Sequence, residues 1–313
     1  MPRDPIAPPL PPPDDADAAM CVLASGSGGN CTLLSLGPAE DRYAVMIDAG
    51  ITPRKTWREL KDRGLGPARL DAVLLTHLDQ DHWNRGWARS LPRHVPVYMH
   101  RRHIRRAERS GGLSKYTLAF DEAFDTRRGL RVEPLMMAHD EHGVAAFRMT
   151  LPNGCTLGFA TDLGAINDAL IEHLHGVDVL AIESNYCPEM QRASDRPAFL
   201  KERIMGGAGH LSNEECAEAV TRIEPREHAV FLHLSRQCNK PELVADLHAG
   251  AEYAVTIASQ HEATRWIRLE PSSSPATPMQ ASADSVEASL FDIASDEPVR
   301  GGEDVHACAP QQP

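Results

Sequence analysis

The sequence predicts an α/β protein in which two β-sheets are covered on their outer sides by helices. Three features carry this expectation: an opening series of short strand-like runs, a long middle in which strands and helices alternate, and apolar runs that stop abruptly at His or Asp. Runs at 21–25, 31–36 and 43–47, parted by Gly-rich and Pro-containing turns, read as an antiparallel meander. A helix follows at 53–63, with Thr52 as N-cap, Pro53 at its first position and Gly64 at its end. Strands are then expected at 72–75, 95–99, 130–137, 145–151, 156–160, 177–182, 229–232 and 253–257. Helices are expected at 82–90, 101–109, 165–173, 197–205, 213–223 and 241–249. Two helix-covered sheets hold this number of elements without long structureless loops, and no internal repeat is present.

The ends differ in composition. Residues 1–19 carry five closely spaced prolines (8, 9, 11, 12 and 13) followed by Asp14, Asp15 and Asp17, and residues 271–313 are rich in Ser, Ala, Asp and Pro. Such segments bury too little apolar area to offset the entropy of ordering, so they are expected as disordered tails around one domain at 20–270. Of the formal charge of −12, the N-terminal tail contributes −3 and the C-terminal tail −6, which leaves −3 for the domain. The acidity therefore does not exclude an anionic substrate. Seven scattered cysteines without a CxxC spacing fit a reducing compartment better than a disulfide framework. Because no basic-then-apolar start and no run of about 18 apolar residues occur, the expectation is a soluble, cytoplasmic protein with no membrane partner. The sequence leaves its oligomeric state open.

The most informative stretch is His77-Leu78-Asp79-Gln80-Asp81-His82, directly after Ala72-Val73-Leu74-Leu75. Four metal-competent side chains within six residues exceed what one ion needs. Alternate side chains leaving a strand can converge on one ion while the adjacent pair turns to a second. Two cations ~3.5–4 Å apart can hold a nucleophilic water between them. Four more apolar runs end in such a residue: Asp48 after Ala44-Val45-Met46-Ile47, His139 after Leu135-Met136-Met137-Ala138, Asp162 after Phe159-Ala160-Thr161, and His233 after Ala229-Val230-Phe231-Leu232. A lone polar residue after a strand is usually structural; this recurrence on one chain points to a shared site.

Together, Ile47-Asp48-Ala49-Gly50, the 77–82 loop, His139, Thr161-Asp162 and His233 resemble, in order and spacing, the five motifs of the metallo-β-lactamase superfamily over residues 20–260. More narrowly, Ala24-Ser25-Gly26-Ser27-Gly28-Gly29-Asn30, Glu183-Ser184-Asn185-Tyr186, Gly209-His210-Leu211-Ser212-Asn213 and His233-Leu234-Ser235 with Asn239-Lys240-Pro241 resemble the bacterial YycJ (WalJ)-like branch, described as exonucleases or phosphodiesterases acting on DNA. The resemblance implies a four-layer αββα sandwich with two mixed sheets and two divalent cations at one edge. It implies that His77, Asp79 and His139 hold the first cation, that Asp81, His82 and His233 hold the second, and that Asp162 bridges them. Asp48 would orient the loop through backbone N–H groups rather than bind metal. A metal-bound hydroxide would be the nucleophile, with Asp81 aligning it. The common pattern is HxHxDH, and Asp79 departs from it; a carboxylate there shifts preference from zinc toward manganese or iron without enforcing it.

For the substrate, His210 stands before the helix at 213–223, where Ser212 can cap and free N–H groups favour an anion, so it is expected to contact the substrate phosphate or leaving group. Ser235 and Asn239 are expected to contribute similarly. On the helix at 101–109, Arg101, Arg102, Arg105, Arg106 and Arg109 make a cationic face, which reads either as a DNA-backbone contact or as a solvated face. The 25–30 loop lacks a nucleotide P-loop ending and reads as a tight turn beside the metals. The leading expectation is a metal-dependent phosphodiesterase or exonuclease on DNA. An ester, thioester or lactone hydrolase using the same cations is the alternative, followed by a metal-binding regulatory protein that has lost catalysis.

Overall fold

The computed structural model describes residues 11–111, 114–207 and 209–273. The first sheet is formed by β1 (Ala18–Ala24), β2 (Cys31–Leu36), β3 (Tyr43–Ile47), β4 (Leu70–Leu74), β5 (Val97–His100) and β6 (Thr117–Phe120). The second is formed by β7 (Phe124–Asp125), β8 (Arg131–Met137), β9 (Val144–Thr150), β10 (Thr156–Ala160), β11 (Val179–Glu183), β12 (His228–Leu232) and β13 (Ala254–Ile257). A last strand, β14 (Ile267–Arg268), returns to the first sheet and pairs antiparallel with β1, Met20 opposite Ile267. Both sheets are mixed. β1–β2–β3 is an antiparallel meander, and β3 to β6 run parallel; β7 to β10 are antiparallel, and β10 to β13 parallel.

Strand periodicity explains the layering. In β1 every residue is buried, and alternate side chains enter different clusters: Met20 and Val22 join Phe147, Leu157 and Val230 between the sheets, whereas Cys21 and Leu23 join the helix-facing layer. That outer layer receives Leu60 of α1 (Pro53–Asp62), Trp87 of α2 (Trp87–Ser90) and Ala107 of α3 (Arg101–Ser110). On the far side of the second sheet lie Leu170 of α4 (Asp168–Leu174), Val220 of α7 (Asn213–Ile223) and Val244 of α8 (Pro241–Leu247). Three apolar interfaces separate four layers, which is the αββα sandwich. Between α4 and α7 in the chain, α5 (Pro188–Ala193) and α6 (Ala198–Met205) pack on a small cluster of Tyr186, Ile204 and Cys238.

Local signals account for many boundaries. Thr52 accepts from the Lys55 N–H at the start of α1, and Ser212 and Glu215 form a capping box on α7. The structure differs from the expectation in three places. The helix expected at 82–90 shrinks to α2, because the backbone before it is already used: Ala49 N–H donates to His82 O, and Asn84 N–H donates to Ala49 O. The N-terminal tail expected through residue 19 is folded from residue 11 onward. Buried Arg42 donates to the carbonyls of Pro12, Pro13 and Ala16, and Ala18 opens β1. Short strands β6, β7 and β14 and helix α5 were not anticipated. At the other end Ser272 N–H still donates to Asp178. Residues 1–10 and 274–313 of the expected tails lie outside the described residues.

Candidate metal centre

The carboxyl ends of strands from both sheets meet at one edge. β3 leads into Asp48, β4 into the 77–82 loop, β8 into His139, β10 into Asp162 and β12 into His233. Asp48, Asp162 and His233 have φ of +58°, +53° and +57°. Left-handed backbone costs a non-glycine residue about 1–3 kcal/mol, and it persists where surrounding contacts demand the abrupt turn. Here the turn redirects each chain at the strand end and delivers its side chain to the common site.

The side chains gather in overlapping groups. His77, Asp79 and His139 place ligand atoms together, as do Asp81, His82 and His233, and His77 and His82 both meet Asp162. His77 Nε2 lies 3.9 Å from Asp79 Oδ2 and 3.8 Å from Asp162 Oδ2. His139 Nε2 is 4.0 Å from Asp79 Oδ2. In the second group His233 Nε2 and His82 Nε2 lie 3.5 and 3.8 Å from Asp81 Oδ2, and His82 Nε2 is 2.5 Å from Asp162 Oδ2. Two divalent cations fit this donor set. His77 Nε2 and His233 Nε2 are buried without a hydrogen-bond partner, each an omission costing about 1–3 kcal/mol unless something binds there.

The surrounding hydrogen bonds set the tautomers. Thr76 Oγ1–H donates to Asp48, so it accepts from His77 Nδ1–H and leaves the His77 Nε2 lone pair facing the site. His82 Nδ1–H donates to Asp48 Oδ2 at 2.7 Å, which likewise directs Nε2 inward. Asp48 also accepts from Thr76 N–H at 2.9 Å, so it braces both the start and the end of the ligand loop. Asn30 Nδ2 donates to Asp81 O and lies 2.9 Å from His82 Nε2.

Burial pushes the Asp162 carboxyl up, but the charges of His233 and His82 outweigh it and hold Asp162 well below the usual carboxylate range. Burial equally lowers His82 and His233, yet Asp162 with Asp48 raises the first well above its ordinary value, and Asp162 with Asp81 and Glu183 raises the second to about 10. His77, desolvated and facing His82, is held well below. A field that retains protons on buried imidazoles also favours divalent cations, with which protons compete.

Several partners of the site were not foreseen. Glu183, fully buried at the end of β11, accepts from His210 Nδ1 and from Leu163 N–H, both at 2.7 Å. It terminates an apolar run as Asp48 and His233 do, which was the available signal. Asn185 Nδ2 donates to the His233 carbonyl at 2.7 Å. Arg106 donates to Asp79 Oδ1 at 2.8 Å and to Asp140 at 3.2 Å, so Asp79 offers the cation site only Oδ2 while a guanidinium offsets its charge.

The expected substrate residues divide. His210 and Ser235 line the cleft above the ligands, whose volume is about 430 Å³. Burial lowers His210, but Glu183 and Asp162 raise it above its ordinary value. Asn239 is buried and spends its amide on the Ser184 and Asn185 carbonyls, so it braces the loop and does not reach the cleft. Arg101, Arg102 and Arg105 are exposed on α3 and none lines the cleft; Arg101 pairs with Asp121. The reason is rotational: His103 and Ala107 are the buried face of α3, which brings Arg106 alone to the site. Arg196 and Arg203, from the α5–α6 segment, supply the cleft's cationic wall instead. The 25–30 loop is a turn filled by Gln260, which accepts from Gly28 N–H, and Ser25 Oγ accepts from His233 N–H.

Residues 43–234 match the β-lactamase superfamily domain. The exodeoxyribonuclease WalJ of Streptococcus pneumoniae serotype 2 is 28% identical over 260 residues, covering 78% of this chain and 95% of that protein. The exodeoxyribonuclease YycJ of Bacillus anthracis is 28% identical over 231 residues, covering 71% and 84%. Among solved structures, the metallo-β-lactamase fold protein YhfI from Bacillus subtilis superposes with a TM-score of 0.58 at 18% identity, covering 79% of this chain and 99% of its own. With its strand-end candidate ligands and its two mixed sheets, the chain belongs to the β-lactamase superfamily and is similar to its YycJ and WalJ members.

Proposed function

We propose that this chain is a metal-dependent phosphodiesterase that degrades DNA as an exonuclease. The observation that carries the reading is a pair of ligand groups with Asp162 between them, near His77 of one and His82 of the other, on the floor of a cleft lined by His210, Arg196 and Arg203. The names of the WalJ and YycJ relatives support the same substrate class. His77, Asp79 and His139 would hold one cation, Asp81, His82 and His233 the other, with Asp162 between them. Bound divalent cations supply Lewis acidity that lowers the pKa of water and neutralises charge on the oxygens of phosphoryl displacement. Zinc or manganese is the preferred pair of identities, with iron third. Asp81, half-buried beside His233, accepts a hydrogen bond from the attacking water and orients it. His210, held through Nδ1 by Glu183, presents Nε2–H to the phosphate or to the departing oxygen. Free thiols at the six described cysteines fit a cytoplasmic enzyme, and no described helix is long and apolar enough to cross a membrane.

The test compares wild type with His82→Ala on 5′- and 3′-labelled single- and double-stranded DNA in manganese, zinc and iron. Loss of a ligand is expected to reduce hydrolysis by at least about 10²-fold. Degradation that survives in His82→Ala rejects the reading. Turnover of thioesters or lactones with DNA left intact selects the ester-hydrolase alternative.

A further inference from the structure

We propose that α6 and the residues just before it form the docking face for a single-stranded DNA end, with Arg196 and Arg203 on its phosphates and Phe199 beneath a base. This rests on the nuclease reading above and specifies how that site takes its substrate.

Charge is the first argument. Arg196 donates to Gln237 Oε1, Gln191 Oε1 and Ser235 Oγ at 3.2, 3.1 and 3.3 Å, all neutral oxygens. Neither Arg196 nor Arg203 has a carboxylate partner among the described residues, whereas Arg106, Arg127, Arg131 and Arg226 do. In an acidic chain, and beside a carboxylate-rich floor, a guanidinium fixed by three neutral acceptors is preorganised and its charge is unspent. Ser235 lies two residues beyond His233, so this anchor ties Arg196 directly to the ligand loop.

Geometry is the second. Arg196, Leu200, Arg203 and Ile204 line the same cleft as the ligands. Leu200 and Ile204 fix the helix through their cluster with Tyr186 and Cys238. Phe199 is 72% exposed, against 45% for the next large apolar side chain among the described residues. It stands four residues before Arg203, one turn away on the same face of α6, while Arg196 sits just before the helix N-cap Pro197. A lone exposed apolar residue needs no explanation. An exposed ring one helical turn from a guanidinium that lines the metal-ligand cleft is the arrangement a single strand requires, since its phosphates need cations and its unstacked bases need a flat apolar surface. A duplex keeps its bases stacked and cannot use the ring.

The experiment is fluorescence anisotropy of a short dye-labelled oligothymidine, alone or annealed to its complement, titrated with the full chain in EDTA so that binding is read without hydrolysis. Arg89→Ala, on α2 outside the cleft, measures the effect of net charge alone. The single strand should bind more tightly than the duplex. Arg196→Ala and Arg203→Ala should each flatten the dependence of log affinity on log salt by about 0.7. Phe199→Ala should weaken binding about tenfold with the salt slope unchanged, and Phe199→Trp should restore it with indole quenching. Salt slopes equal to that of Arg89→Ala, wild-type binding by Phe199→Ala, or equal binding of duplex overturns the inference. If wild type digests DNA with metal while these variants bind like wild type, the docking face alone falls; if wild type neither binds nor digests DNA, the nuclease reading falls with it.

Discussion

Gly50→Ala should disable the second ligand group while leaving the sandwich folded. Gly50 lies under the ligand loop, where Gly50 N–H donates to Asn30 O and Asn30 N–H donates to Asp81 O. A Cβ at Gly50 would sit 1.7 Å from Asp81 O and 2.2 Å from its carbonyl carbon, where real contacts stay above 3.0 Å. The obstacle is backbone, so no rotamer relieves it, and the loop must retreat by at least 1.3 Å, the difference between those two distances. Asp81 and His82 move with it, away from His233 and Asp162. A displacement near 1 Å at a reacting site can cost about 10²-fold in rate. The assays are metal content per chain by mass spectrometry after dialysis, hydrolysis of labelled DNA, and near-UV circular dichroism to confirm native packing. The expected result is one cation fewer per chain and at least about 10²-fold less hydrolysis in a folded protein. Wild-type metal content with a rate within about tenfold of wild type would refute the steric argument.

The Asp79–Arg106 pair predicts non-additivity: Asp79→His alone leaves Arg106 facing the cation without its partner and weakens binding, and adding Arg106→Ala recovers affinity, with a coupling of at least about 0.5 kcal/mol in calorimetric titrations. Additive effects would mean that Arg106 does not act through Asp79. Glu183→Gln leaves either His210 or the Leu163 N–H without its acceptor, so metal affinity or hydrolysis should fall about 10–100-fold; an unchanged enzyme would show that Glu183 is a bystander. His103 is buried with neither ring nitrogen hydrogen-bonded, and burial lowers it from 6.5 to about 4. The unfolded chain therefore binds a proton that the native state refuses between those values, so this histidine costs stability as pH falls, about 2 kcal/mol between pH 7 and pH 5. Urea unfolding of His103→Phe at both pH values should show a loss smaller by that amount, and equal losses in the two proteins would contradict the assignment.

What the sequence by itself determined was the fold class, most strands and the strand-end positions of the candidate metal ligands. Each of these side chains is continuous with the apolar run that carries it: the bracing Asp48 with β3, and the candidate ligands His139 with β8, Asp162 with β10 and His233 with β12. A buried strand that ends in His or Asp is a local fact, visible without knowing what lies beside it. Only the tertiary structure decided the partners. Arg106 meets Asp79 across 27 residues and His210 meets Glu183 across another 27, contacts set by sheet order and helix rotation that no spacing records. The stripe of arginines on α3 was legible, but packing of His103 and Ala107 turned most of it to solvent and left the cleft's cationic wall to Arg196 and Arg203. The expected helix at 82–90 yielded for the same reason, since its first turn was already hydrogen-bonded to Ala49, whose approach depends on a neighbouring strand. Short-range chemistry places a side chain at the end of an element; packing between elements, with its demand that buried donors and acceptors be matched, decides what that side chain faces.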